Sequence, residues 1–434
     1  MRFAIKQVGV GSERLGHLTE FVRSPNCAIE TPTAALMTQG GSVVHLTAEV
    51  LAKVFTNPQL LLMPLSNTIK FEQGIKAQGE GIAKFAGLPQ HIVCSTVNNI
   101  NENTPLGHFE MDKVPVWSNN GKKMITADRY MDLMELFKPD IVLAIADGRV
   151  SLSEGHKRIT KSVDRTCNML NTCVNRFKES THLQKSSLIG VVVGAGNPRK
   201  CEACIKQVLQ HKDVISGIAI SGLTDGTEDS YNVPMEKLEE IFQRVSDAIP
   251  KDFLRIVEGS WNPAVIVAAI QAGFDIFDGS YPLKLTNAGL ALALKFDVNK
   301  KSEELCIMDM SDIRYKESFE PILAGCECLT CKKYTRAYVR HLLNTREMLA
   351  SVLLNIHNLH HFDQLFYHAR MHITATTYRV FKEHITKQYE IYRNNQENIP
   401  KETEGVQEND TPIKKIKVRE DSDVNKINNS SSYS

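Results

Sequence analysis

Leu188-Ile189-Gly190-Val191-Val192-Val193 and Ile141-Val142-Leu143-Ala144-Ile145 decide the fold. Both are unbroken apolar runs, too short for an ordinary helix, and neither alternates polar with apolar residues as a strand with one wet face does. Strands buried on both faces read this way. Leu60-Leu61-Leu62-Met63, Gly217-Ile218-Ala219-Ile220 and Phe274-Asp275-Ile276-Phe277 repeat the pattern, and amphipathic stretches such as Met235 to Ile249 and Pro263 to Ala272 lie between. Repeated βα units over this length predict an α/β fold, either a doubly wound sheet or a parallel barrel. The strand ends carry Asp147, Gly194, Ser221-Gly222 and Asp278, and in a (β/α)8 barrel of the TIM type those ends form the active-site face. The barrel is the expectation.

A second constellation stands near the C-terminal end. Cys326-Glu327-Cys328-Leu329-Thr330-Cys331 can turn three sulfurs toward one point, and His357 follows at the end of a stretch with helical apolar spacing. Thiolates and imidazole are the donors zinc prefers, and four of them close a tetrahedron without leaving a place for water. A structural Zn2+ held by Cys326, Cys328, Cys331 and His357 is expected, with His360 and His361 as alternatives for the fourth position. Thr335 to Ile356 reads as the one helix that returns His357 to the sulfurs. Cys201-Glu202-Ala203-Cys204 has C-x-x-C spacing but no second Cys/His pair nearby, so two helix cysteines are expected there.

Composition narrows the function classes. The 434 residues carry 51 Lys and Arg against 50 Asp and Glu. That balance excludes coating of nucleic acid by net charge, so any RNA contact must come from a local patch. Lys332, Lys333, Arg336 and Arg340 are one such basic run, beside the knuckle. Ten cysteines in so long a chain fit a reducing compartment. No run approaches the roughly 18 apolar residues of a membrane span, and the N-terminus lacks a signal-peptide core; a soluble, cytoplasmic chain without an integral membrane segment is expected. The expected division is 1–300 barrel, 301–395 zinc-binding subdomain with closing helices, and 396–434 disordered tail. Glu, Lys, Asn, Asp and Ser dominate that tail, which cannot bury enough apolar surface to order itself.

Ile29-Glu30-Thr31-Pro32-Thr33 with Leu46-Thr47, Ser66-Asn67-Thr68, Lys138-Pro139-Asp140-Ile141, Ser221-Gly222-Leu223, Gly273-Phe274-Asp275-Ile276-Phe277-Asp278 and the constellation ending at His357-Asn358-Leu359 together carry a resemblance. From roughly Arg14 to about residue 380 the chain resembles the queuine/archaeosine tRNA-ribosyltransferases, the tRNA-guanine transglycosylases, and most of all the accessory chains of the eukaryotic enzymes. The resemblance implies a (β/α)8 barrel with a zinc subdomain. Catalytic members exchange guanine at the wobble position of the anticodon through a covalent RNA intermediate, one aspartate attacking the ribose and a second assisting proton transfer.

By the same resemblance Asp278 falls on the nucleophile position, but its partners do not follow. The turn that supplies the second carboxylate aligns with Ser95-Thr96-Val97-Asn98-Asn99-Ile100, which has neither carboxylate nor glycine. Val193 stands where a glutamine reads the base, and Ser221-Gly222-Leu223-Thr224-Asp225-Gly226-Thr227 loses a terminal glutamate. Gly279-Ser280-Tyr281-Pro282-Leu283-Lys284 keeps one ammonium, Lys284, in place of the arginines that grip RNA. Asp147 falls on a base-recognition aspartate; Asp147 and Asp278 are otherwise read as strand-end caps of the following helices. The resemblance therefore implies a non-catalytic subunit of a pentosyltransferase complex, with Asp278 a degenerate nucleophile position. Its expected partners are a catalytic queuine tRNA-ribosyltransferase subunit in a heterodimer, and tRNA, with self-association left open. The zinc subdomain is the expected interface. The resemblance also implies peripheral association with the mitochondrial outer membrane. The rival readings are an active homodimeric transglycosylase using Asp278, and a tRNA or organelle-surface binding protein with no part in base exchange.

Overall fold

Eight parallel strands close into a barrel in the computed structural model, which describes residues 1–97, 99, 102, 104–105, 107–118, 121–300 and 305–397. They are β1 Thr33–Gln39, β2 Leu60–Pro64, β3 Ile92–Thr96, β4 Ile141–Leu143, β5 Ser187–Val192, β6 Ile215–Ile220, β7 Leu254–Val257 and β8 Ile276–Gly279. Each pairs with its neighbour in sequence order, and β8 returns to β1 with Ile276 opposite Thr33 and Gly279 opposite Leu36. Gly279 is required at that closure, since a Cβ there would run into the Ala35 carbonyl. Strands β2, β3, β4, β5, β7 and β8 are buried along their whole length, which is why most of their residues are apolar.

Helices start where side chains can cap them. Thr47, Thr126 and Asn197 each accept from a first-turn amide, and Asn262 accepts from both Ala264 and Val265. The 197 and 262 sites are followed by proline, which suits the first helical position. Pro263–Gln271 is apolar all round, the signature of a helix with no wet face. The last helix, Tyr378–Glu397, covers it, and the buried Tyr378 hydroxyl donates to the Val267 carbonyl at 2.7 Å.

An antiparallel sheet of Arg2–Val8, Arg14–Thr19 and Ile29–Thr31 lies at the N-terminal side of the barrel strands. Its anchor is Arg14. The guanidinium donates to both oxygens of Asp275, at 2.9 and 2.5 Å, and to the Phe253 carbonyl at 2.6 Å, with 3% and 0% of the two side chains exposed. The Arg255 amide adds a third bond to Asp275 at 2.8 Å.

Residues Met1–Arg393 form one compact unit. Within it the expected helix from Thr335 to Ile356 is two helices, Arg336–Asn344 and Met348–Thr374. Arg346 adopts φ 57°, and the Glu347 amide reaches back to the Leu342 carbonyl, a helix-ending left-handed cap that the sequence hides because no glycine marks it. Among the described residues no helix is long and apolar enough to cross a membrane. Residues 396 and 397 belong to the last helix; the rest of the expected tail lies outside the described residues, as do 301–304 of the expected subdomain and Asn98 and Ile100 of the aligned turn.

Arg14→Met, which keeps the apolar stem but leaves Asp275 buried without its partner, should lower unfolding stability by about 3–5 kcal/mol. Urea denaturation followed by circular dichroism checks this, and Arg14→Met combined with Asp275→Asn should recover part of the loss.

A candidate metal centre and a closed barrel mouth

The Cys326–Cys331 knuckle brings its sulfurs together by starting a short helix. Cys328 is the cap of Leu329–Lys333, its sulfur accepting from the Cys331 amide at 3.2 Å. His357 arrives on Met348–Thr374 with Nδ1 at 3.7, 3.6 and 3.3 Å from the sulfurs of Cys326, Cys328 and Cys331. A tetrahedral zinc with Zn–S about 2.3 Å and Zn–N about 2.0–2.1 Å separates sulfur from nitrogen by about 3.5–3.6 Å. All four ligand atoms lie within 4.8 Å of one another, so the cluster could hold a metal ion. The second nitrogen of His357, Nε2, is 2.8 Å from the Leu292 carbonyl. That bond places the proton on Nε2 and leaves the Nδ1 lone pair toward the sulfurs. Hydrogen bonds with Cys328 and Cys331 push the Cys326 thiol far down, and the bond with Cys326 pushes the Cys328 thiol far up. A cation at the centre removes that conflict, because it binds all three as thiolates.

His361 and His360 are not in the four-atom set. His361 has its Nε2 on the Leu294 carbonyl at 2.9 Å. The basic run is largely engaged: Arg336 Nε donates to the Ile322 carbonyl at 3.2 Å and Arg340 Nε to the Asp312 carbonyl at 2.9 Å, while Lys332 and Lys333 are exposed. Cys201 and Cys204 are buried on the Pro198–Leu209 helix.

At the C-terminal ends of the barrel strands the polar residues face one another and leave little room. Asp147 after β4 is fully buried and paired with two arginines, Arg158 at 2.7 and 2.6 Å and Arg165 at 2.9 Å. It caps no helix; the following helix begins at Gly155 without a side-chain cap. Asp278 at the end of β8 accepts from the amide of Ser280 at 2.9 Å and from its hydroxyl, and from the Gly259 amide at 3.4 Å, so it organises its own turn and also leaves its helix uncapped. Lys284 is taken up by Glu228 at 2.8 Å and by the Tyr231 ring, 4.9 Å from its centroid. Arg149 ties the loops across the mouth, donating to the carbonyls of Glu102 and Asp225 at 3.0 and 3.1 Å.

Glu258, just past β7, escaped the sequence reading. Thr96 donates to its carboxyl at 3.0 Å and Ser221 also bonds it. It is partly exposed by surface area, yet desolvation inside the barrel end, with some help from the Asp278 charge, pushes its pKa up to about 7. Its position after an apolar strand in a βα unit was the available signal. Thr96, Ala146, Val191, Ser221 and Glu258 line a cavity of about 20 Å³. One water fills about 10–15 Å³ on that measure, whereas small-molecule sites run to roughly 300–1,000 Å³.

The sequence model of queuine tRNA-ribosyltransferase matches residues 10–391. The chain belongs to the queuine tRNA-ribosyltransferase family. Its relatives include the queuine tRNA-ribosyltransferase accessory subunit 2 of Aedes aegypti, 34% identical over 421 residues that cover 96% of this chain and 100% of the relative. The protein of the same name from Anopheles gambiae is 35% identical, covering 89% of this chain and 90% of its own length. That of Ixodes scapularis is 32% identical, with 83% and 94% covered. Within this queuine tRNA-ribosyltransferase barrel, then, Asp278 lies at the end of β8 and a cavity of only about 20 Å³ remains at the mouth.

The Glu258 carboxyl holds its proton up to about pH 7 in the folded chain, while an ordinary glutamate releases it near 4.5. Its contribution to stability is therefore complete below pH 4.5 and lost as pH rises through 7, amounting to about 3 kcal/mol at most. Glu258→Gln should flatten the stability profile between those values and raise stability at pH 8 relative to the parent, measured by urea midpoints across pH.

Proposed function

We propose that this chain is the non-catalytic subunit of a heterodimeric tRNA-guanine transglycosylase, the complex that exchanges guanine for queuine at the wobble position of tRNA anticodons. The observation that carries this reading is the cavity of about 20 Å³ at the barrel mouth, too small for a purine, in a chain whose relatives are named as accessory subunits. Val193 contributes no hydrogen bond from its side chain to a base, and Lys284 is already paired. The chain contributes dimerisation and positioning of the RNA, while the catalytic partner supplies an open pocket. Ile313, Phe319 and Met348 expose 67%, 77% and 86% of their surface in the segment around the metal centre. Exposed apolar side chains of this size suit a protein interface, and the zinc subdomain is assigned to the partner. The protein works in the cytoplasm, where both partner and tRNA are met, with a peripheral place on the mitochondrial outer membrane.

Cys326, Cys328, Cys331 and His357 hold a structural zinc in this reading. The soft sulfur donors and the closed set of four favour zinc over the oxygen-seeking cations. Cys328→Ser should drop metal content from one zinc per chain to near zero and lower the thermal midpoint, read by elemental analysis and calorimetry; unchanged zinc would remove the assignment.

One observation favours an active enzyme: Glu258 brings a second carboxyl near Asp278, titrating where a general base should. Exchange of labelled guanine into tRNA decides between them. The isolated chain should show none, the chain mixed with a catalytic subunit should be active, and Asp278→Asn or Glu258→Gln in this chain should leave that activity within about twofold, far from the 10²–10⁴-fold that loss of an acid/base group costs. Collapse of activity with assembly intact would assign chemistry to this chain, and failure to co-elute with any catalytic subunit would favour a separate binding protein.

A further inference from the structure

His361 repeats the arrangement of His357 one helical turn further on. The two rings stack, 5.6 Å between centroids and 9° apart. Each is pinned through Nε2 to a carbonyl of the same extended segment, His357 to Leu292 at 2.8 Å and His361 to Leu294 at 2.9 Å. With Nε2 committed, Nδ1 is left to face sulfur: that of His357 meets all three cysteines, and His361 hydrogen-bonds Cys326. Phe296 lies between His361 and His368, 5.0 and 4.5 Å from their ring centroids, and keeps both imidazoles from turning away.

A cavity of about 760 Å³ opens on this second imidazole, and its walls include Cys326, Glu327, His360, His361, Gln364 and His368. Among the described residues Cys326 is the only one of the four ligand residues on that wall. Cys328, Cys331 and His357 do not line the cavity whereas Cys326 and His361 do, so an ion arriving through it meets Cys326 and His361 first. A hydrated divalent cation cannot shed its waters all at once; each must be replaced by a protein donor as it leaves.

We propose that His361 is a reserve ligand and the cavity the passage through which the metal ion enters and leaves, Cys326 and His361 taking the incoming ion before His357 completes the tetrahedron. The inference rests on the reading of the four residues as a zinc site. The steps are ligand substitutions: bonds to Cys326 Sγ and His361 Nδ1 would form as water ligands leave, then Cys328, Cys331 and His357 would bind as the remaining waters and His361 Nδ1 leave, and the thiol protons would pass to solvent through the cavity. No electron changes hands.

Full-length protein stripped of metal and reloaded tests it. His361→Ala should bind as much zinc at equilibrium as the parent but take it up, and yield it to a chelator, at least about tenfold more slowly, the scale on which residues behind metal ligands act. Loaded with cobalt(II), His357→Ala should keep the absorption of a tetrahedral thiolate-imidazole site through His361, and His357→Ala/His361→Ala should lose it. His368→Gln, on the cavity wall outside the set, should slow exchange without altering the cobalt spectrum and serves if the alanine variants do not fold. Unchanged or faster exchange in His361→Ala, or identical cobalt spectra for the single and double variants, overturns the proposal. A parent chain that binds no metal overturns the zinc reading itself, a result distinct from these.

Discussion

The His357 imidazole is the joint on which the C-terminal part of the molecule depends. Nδ1 faces three sulfurs and Nε2 holds a carbonyl of the segment that leaves the barrel after β8. One fully buried ring therefore fixes the knuckle, the long helix and the barrel against each other. The same helix adds Asn355, donating to the Val44 carbonyl at 2.7 Å, and Asn358, accepting from the Leu292 amide at 2.8 Å and donating to the Leu290 carbonyl at 2.9 Å. A wholly apolar face could slide by a turn without large loss. A buried face with directional bonds cannot, because each displaced amide or imidazole would be left unsatisfied at about 1–3 kcal/mol.

The barrel mouth is organised on the opposite principle. Its polar groups pair with one another: Asp147 with Arg158 and Arg165, Lys284 with Glu228, Glu258 with Thr96 and Ser221, Asp278 with its own turn. In a site built for a substrate some of those donors and acceptors point into open space until the ligand arrives. Here internal partners satisfy them, and about 20 Å³ remains. The Asp278 carboxylate is thus part of the framework, held by amides of Gly259 and Ser280.

Much of this was legible in the sequence, for identifiable reasons. Strands β2, β4, β5, β6 and β8 announced themselves because burial on both faces demands unbroken apolar residues. Strand β7 did not, because Arg255 interrupts it; the arginine is buried nonetheless, bonded to the Ser246 hydroxyl at 2.8 Å and to the Gly273 carbonyl. The knuckle was readable because metal ligands must be particular residue types at short spacing. The break at Arg346 was not, since its left-handed turn uses no glycine, and Tyr338 and Leu349, within the stretch expected to be one helix, are exposed. Glu258 was hidden for a different reason: a carboxylate after a strand is common, and only the walls of the closed barrel make this one unusual. The engagement of Arg336 and Arg340 by backbone carbonyls likewise depends on the 305–323 segment folding against them, which no local pattern shows.

The contrast between the two regions follows from how each responds to the loss of one residue. A centre built on three sulfurs is nearly all or none in them: removing one thiolate leaves an open position on the ion, so the three sulfurs hold only together. A substrate pocket has no such requirement once its ligand is no longer bound. There each polar group can acquire an internal partner separately, and each new bond adds about 0.5–1.5 kcal/mol to the folded state. Cumulatively these bonds draw the loops inward, as Arg149 does between Glu102 and Asp225. A mouth whose polar groups are paired in this way is therefore stable closed. The near-tetrahedral spacing of Cys326, Cys328, Cys331 and His357 beside a mouth with room for little more than one water is the structural outcome of those two unequal constraints.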